Sequence, residues 1–139
     1  MLVRRTSEVA DRANGIPDPE WVILRTLRPN VLITGTHDAL EGIVATLRPY
    51  LRQPVYSWSP DTVLPVAHDT ATLLMRDVAT LPLAQQHALL SWLDQAAGRV
   101  QVVSTTTLEL FPLVEQGMFL KTLYYRLNTM RLDTQAPAE

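Results

Sequence analysis

The residues best placed for chemistry are Gly35-Thr36-His37-Asp38-Ala39-Leu40-Glu41-Gly42, directly after the apolar run Val31–Thr34. A strand that ends in glycine and turns into a helix is a common start for a phosphate site, because the first N–H groups of a helix have no partner within it. Holding a triphosphate this way takes the pattern G-x-x-x-x-G-K-[ST], with glycines for a close backbone, a Lys for the phosphate charge and a hydroxyl for magnesium. Here Glu41 stands where the Lys is needed and Gly42 follows it. An anion arriving there would meet a negative charge. Asp38 and Glu41 also have the spacing of a capping box, so these two acids are expected to close the helix start themselves. A second candidate is Asp77, which follows the apolar residues of Thr72–Val78 and would present a carboxylate at a strand end. On a regular strand Arg76 points to the opposite face from Asp77. His37, His68 and His87 have no metal-ligand spacing and there is no cysteine to join them, so no metal site is expected. Ser57 and Ser104 have no nearby base in the sequence to activate them.

The elements that must position these residues are legible from periodicity. Val31–Thr34 reads as a buried strand, and Leu40, Ile43, Val44, Leu47 and Leu51 then recur at helical spacing, with Pro49 stopping the regular helix near Arg48. Before them, a short helix is expected near Ser7–Ala13 and another over Glu20–Leu27, packing Trp21, Leu24 and Leu27. After them come a strand at Gln53–Ser57 and a connection Trp58–Thr70 with a small strand at Val63–Val66. A third main strand is read at Thr72–Val78, and a helix at Pro82–Ala97. That helix should bury Leu83, Leu90, Leu93 and Ala97, with Leu89 widening the face and Gly98 stopping it. Arg99–Thr105 is β-branched and reads as a strand. Leu108–Gln116 reads as a short helix interrupted by Pro112, Gly117–Asn128 as a helix, and Thr129–Leu132 as a last strand; the tail Gln135–Glu139 is expected to be loose. Alternating strands and helices predict an α/β fold with a central parallel sheet flanked by helices. Any ligand then sits at the strand carboxyl edge, which would display Gly35–Asp38, Ser57, Asp77 and Thr105–Thr107.

The bulk properties exclude more than they select. A chain of 139 residues is one domain's worth, and 47% hydrophobic with 19% charged residues is ordinary for a globular protein. A net charge of −2 gives no footprint for nucleic acid, so none is expected as a partner. The absence of cysteine fits a cytoplasmic location. No apolar run approaches membrane-spanning length, and Met1-Leu-Val-Arg-Arg-Thr6 lacks the apolar centre of a signal peptide.

From Val31 to Leu132 the chain resembles the AAA+ ATPase domain of bacterial sigma-54-dependent transcription activators, the enhancer-binding proteins related to nitrogen regulators. Gly117-Met-Phe-Leu-Lys-Thr-Leu-Tyr-Tyr-Arg-Leu-Asn128 is similar to that family's Gly-x-Phe-Arg-x-Asp-Leu-Tyr-Tyr-Arg-Leu-Asn. Thr72-Leu-Leu-Met-Arg-Asp-Val-Ala-Thr-Leu-Pro82 is similar to Thr-Leu-Phe-Leu-Asp-Glu-Ile-Gly-Glu-Leu-Pro. Val100–Thr107 is similar to the strand that ends in the sensor Asn, and Leu32-Ile-Thr-Gly35 to the strand before the phosphate loop. The resemblance implies a P-loop NTPase-like, three-layer fold, with residues 1–29 a helical or linker segment, 30–132 the core and 133–139 a tail.

The same resemblance exposes departures. It places Glu41 at the phosphate-binding Lys, Arg76 at the magnesium-side acid, Asp77 at the water-activating Glu and Thr107 at the sensor Asn. Of two arginines that reach a neighbouring subunit, the first position carries Leu120 and the second keeps Arg126. Only about fourteen residues separate Ser57 from Thr72, too few for the family's sigma-contacting loop Gly-Ala-Phe-Thr-Gly-Ala, so direct contact with the sigma factor is not expected. The lid and helix-turn-helix that follow in the family have no counterpart before Glu139. Phosphoryl transfer works almost wholly by positioning and electrostatics, so losing cradle, metal acid and sensor together implies no hydrolysis. The expectation is a non-hydrolysing protein-interaction module in transcription regulation or two-component signalling, with a protein partner or itself as ligand and no cofactor. Gly35, Thr36, His37, Asp38, Glu41, Gly42, Arg76, Asp77 and Thr107 would be vestigial nucleotide-site positions, with Arg126 an intersubunit contact. The alternative is a regulator that binds ATP and Mg²⁺ without robust turnover.

Overall fold

The computed structural model describes residues 18–60, 62–65, 70–96 and 98–134. The helix expected at Ser7–Ala13, the tail Gln135–Glu139, and Val66, His68 and Ala97 lie outside the described residues. The elements run α1 (Asp18–Thr26), β1 (Val31–Gly35), α2 (His37–Leu47), a 3-10 turn (Arg48–Tyr50), β2 (Val55–Trp58), β3 (Ala71–Met75), a 3-10 turn (Val78–Thr80), α3 (Leu83–Ala96), β4 (Val100–Thr106), α4 (Phe111–Glu115), α5 (Lys121–Leu127) and β5 (Met130–Thr134). The five strands form one sheet in the order β2-β3-β4-β1-β5. Every pairing is parallel, with Val31 opposite Val103 and Met130, and Leu73 opposite Tyr56 and Val102.

This order dictates the layers. The chain moves one way along the sheet from β1 to β2 and the other way from β2 through β5. Uniformly right-handed crossovers therefore put α2 on one face and α3 to α5 on the other. The core divides accordingly. Val31, Ile33, Leu74, Val103 and Leu132 pack with Leu24 of α1 and with Leu40, Ile43, Val44 and Leu47 of α2. Leu32, Leu73, Met75, Val100 and Val102 pack with Leu89 and Leu93 of α3 and with Leu123 and Leu127 of α5. The period-two split along each strand is the pleat of a sheet covered on both sides. β3 and β4 are buried throughout, whereas the edge strands β2 and β5 are half-exposed.

Several local expectations are corrected. Leu27 is 75% exposed, because α1 ends at Thr26 and the chain turns at Arg28 in a left-handed conformation (φ 51°). Leu83 is 43% exposed; the face of α3 that meets the sheet carries Gln86, Leu89, Leu93 and Ala96. A buried glutamine was invisible to a reading by apolar spacing. It is retained because every polar atom is used: Gln86 Nε2 donates to the carbonyls of Leu81 and Met118, and its Oε1 accepts from Leu120 N–H. Val63 is 91% exposed, and residues 62–65 form no strand. Trp58, expected in a connection, ends β2, is buried and donates its indole N–H to Thr62 O. Pro112 does not interrupt a helix but opens α4 from its first turn. Gly117 (φ 77°) keeps 117–120 out of the following helix, which begins only at Lys121. Among the described residues, no helix is long and apolar enough to cross a membrane.

Candidate functional site

The connections of the adjacent strands β1 and β4 leave toward opposite ends of the sheet, so a crevice is expected at their carboxyl ends. β1 delivers Gly35, β4 delivers Thr105–Thr107 and β3 delivers Arg76 and Asp77 to that edge.

The joint after β1 is shorter than a phosphate loop. Thr36 alone separates Gly35 from His37, the first residue of α2. Thr36 is extended (φ −73°, ψ 160°), and its Oγ1 accepts from Ala39 N–H at 3.2 Å. This corrects the expected capping box: Thr36 is the cap, Asp38 lies in the first turn, and Glu41 turns elsewhere. His37, Asp38, Glu41 and Gly42 are thus turns of a helix rather than a loop. Gly35 is required on different grounds, since a Cβ there would overlap Thr134 Oγ1 of β5, a hydroxyl that donates to Thr34 O at 2.9 Å.

Glu41 and Arg76, 35 residues apart in the chain, meet. Arg76 Nε donates to Glu41 Oε2 at 2.8 Å and Nη2 to Oε1 at 3.3 Å, a two-pronged ion pair with the side chains 38% and 42% exposed. Arg76 continues the side of β3 that carries Leu74, and that side is covered by α2, so the alternation of the strand aims it at the helix. A guanidinium with both prongs on a carboxylate is the strongest planar pairing two side chains form.

Asp77 takes another course. It lies past the end of β3 in a left-handed conformation (φ 57°, ψ 50°) with its side chain exposed, and its carbonyl accepts from Thr80 N–H and Thr80 Oγ1. Asp tolerates this backbone better than most residues. Its N–H donates to Thr105 Oγ1 at 3.3 Å. Thr105, expected at this edge and buried between β1 and β3, is the group that ties the ends of β3 and β4 together. Thr107, which the resemblance places at the sensor Asn, is exposed beyond β4. Thr106 folds back on Leu108, accepting from its N–H and donating to its carbonyl.

Two depressions flank the edge. One of about 320 Å³ is lined by Thr34, Gly35, Thr36, Thr107 and Thr134, together with Glu109 and Asp133. Arg131 binds both acids, at 2.7 Å each. Burial works against its charge, but the hydrogen bonds and attraction of Asp133 and Glu109 outweigh that and raise the guanidinium pKa. The other depression, of about 460 Å³, lies on the α2 face beside Glu41 and Arg76. Arg126 is held within its own chain: Nη1 donates to Asp94 Oδ1 of α3 at 2.8 Å. Of the adjacent tyrosines, Tyr124 is core and Tyr125 is 55% exposed. Among the described residues no group of three His, Asp or Glu is placed to hold a metal.

Solved structures share this architecture. NtrX from Brucella abortus in complex with ADP superposes with a TM-score of 0.66 at 19% identity, over 98% of this chain and 37% of NtrX. The P-loop NTPase domain of the sigma-54 transport activator from E. coli gives 0.53 at 17% identity, over 88% of this chain and all of that one. The Drosophila origin recognition complex bound to AT-rich DNA and Cdc6 gives 0.58 at 12% identity, over 94% of this chain and 57% of that one. The chain thus spans little more than a third of the length of NtrX. No curated protein sequence matches it. These likenesses establish an AAA+ type of P-loop NTPase fold. The profile of the Sigma-54 interaction domain matches residues 50–136, well over half of the chain. By that match, the chain belongs to the Sigma-54 interaction domain family.

Proposed function

We propose that this member of the family does not turn over nucleoside triphosphate and serves as a protein-interaction module in transcription regulation or signalling. The observation that carries the reading is the Glu41–Arg76 pair. At the two positions where the family resemblance puts a phosphate-binding Lys on the helix and a metal-binding acid on the strand, the charges are exchanged and satisfy each other. A triphosphate and its metal would have to break that pair, then face a carboxylate where phosphate needs a cation and a guanidinium where the metal needs an oxygen. The one-residue link at Thr36 supports the reading, because a helix begun at His37 leaves no loop of N–H groups to wrap phosphates. The held Arg126 supports it too, since an arginine tied to its own Asp94 is not presented to a neighbour. Phe111, Met118 and Tyr125 on α4 and α5 and the loop between them remain exposed, which suits a surface that meets protein.

Titration calorimetry of the pure chain with ATP and Mg²⁺, followed by a phosphate-release assay, tests this. No binding in the micromolar range and no turnover are expected. The pair Glu41→Lys with Arg76→Asp is expected to leave both unchanged, since it restores charges without restoring a loop. Micromolar ATP affinity in the unaltered chain would instead establish the nucleotide-binding regulator, and measurable phosphate release would remove the proposal altogether.

A further inference from the structure

Among the described residues, α1 and α2 are the helices packed on the face that carries α2, and none of these residues covers the side toward the edge strand β2. The 460 Å³ groove lies there, lined by apolar Val44, Ala45 and Pro49 and by polar Arg48, Gln53 and Arg76. Among the described residues the one carboxylate in its lining, Glu41, is already bound to Arg76 through Nε and Nη2, leaving Nη1 for another acceptor. The Arg48 guanidinium has no hydrogen-bond or ion-pair partner among the described residues, although Arg48 ends α2 at the mouth of the groove. The stretch from Gly42 to Pro60 contains no Asp or Glu and two arginines, Arg48 and Arg52. Arg28 adds a third, donating to Tyr50 O at 3.3 Å beside the same turn. An apolar bed with unneutralised guanidinium groups at its margin is thus set against an otherwise slightly acidic chain.

We propose that this groove binds an acidic segment of a partner protein, with a carboxylate on Arg48, a second acceptor on the free edge of Arg76, and an apolar side chain against Val44, Ala45 and Pro49. The inference rests on reading the chain as a protein-interaction module and names the surface and the chemistry of the partner. Charge complementarity selects the occupant. A second copy also carries exposed carboxylates, Asp77 among them, and is separated by the sedimentation test below. Nucleic acid is a poorer fit because so few cations on a chain of net charge −2 make no track for a phosphate backbone.

The probe is a fluorescein-labelled peptide alternating Leu and Glu, compared with its Leu–Gln counterpart and with labelled oligothymidylate, each titrated with the full chain by fluorescence anisotropy. The Glu peptide is expected to bind, to be weakened by added salt, and to outbind the Gln peptide and the oligonucleotide by about tenfold or more. Arg48→Gln should weaken it about tenfold and Arg48→Glu abolish it, while thermal melts of both variants match the unaltered chain. Amide chemical-shift changes on adding the peptide should centre on residues 44–53. The proposal is overturned if the Glu peptide fails to bind, if Arg48→Glu leaves binding intact, if oligothymidylate binds as tightly, if the shifts centre elsewhere, or if sedimentation shows a dimer that Arg48→Glu dissociates. Nucleotide titration is scored apart: ATP binding would refute the function proposed above without touching the groove, and peptide failure would refute the groove without touching that function.

Discussion

At the residue scale the decisive feature is the Glu41–Arg76 ion pair. Glu41 and Arg76 are each unremarkable on their own helix or strand, and each alone would read as a lost catalytic position. Together they make one two-pronged contact. Its worth to stability is small, since both side chains keep about two-fifths of their exposure and solvent screens the pair. A double-mutant cycle with Glu41→Ala and Arg76→Ala should give a coupling of about 0.5–1 kcal/mol that shrinks with added salt. Reversing the pair, with Glu41→Arg and Arg76→Glu together, should recover most of that coupling. A coupling near zero in low salt would mean that the pair does not persist in solution. The neighbouring Asp77 follows a different logic. Its left-handed backbone carries it past the strand end, and its N–H goes to Thr105 while its carboxylate stays in solvent.

At the element scale, side chains that bridge neighbouring strands fix the two ends of the sheet. Asn30, just before β1, shows this best. Its Oδ1 accepts from Val102 N–H of β4 at 2.8 Å, its Nδ2 donates to Arg126 O of α5 at 2.9 Å, and its own carbonyl accepts from Met130 N–H of β5 at 3.0 Å. Asn30→Ala leaves the buried Val102 N–H without a partner, so a loss of about 2 kcal/mol is expected in denaturant unfolding. A loss below about 0.5 kcal/mol would show that the contact to Val102 does not matter. The β1–α2 joint is the other determinant. With Thr36 capping the helix at once, α2 starts where a phosphate-binding loop would still be turning, and Glu41 arrives in its second turn, within reach of Arg76.

At the scale of the molecule, two apolar layers enclose one parallel sheet, and α1 belongs to one of them. Leu24 is buried against β1, β5 and α2, and Trp21 packs edge-on to Tyr50 with ring centroids 5.1 Å apart. The match to the family profile begins only at residue 50, yet the strand at the centre of the site, β1, and the helix that shields it come earlier. Leu24→Ala should therefore cost about 2–4 kcal/mol, as a core truncation does, while the exposed Val22→Ala stays within about 0.5 kcal/mol. If the two variants melt alike, α1 contributes nothing to the core.

What the sequence determined by itself was whatever depends on neighbours in the chain. The order of strands and helices, the apolar face of α2 and the family motifs in 72–82 and 117–128 follow from spacing, which local geometry translates directly into buried faces. The tertiary structure decided what depends on distance across the fold. Spacing along α3 could not reveal that Gln86 is buried and fully bonded, because its partners are the carbonyls of Leu81 and Met118 and the N–H of Leu120. Nor could it reveal that Glu41 and Arg76 are partners, because the parallel register and the crossover of α2 bring together residues that local chemistry treats as strangers. Local pattern fixes which face a side chain takes, and only the packed sheet fixes which charge waits opposite it.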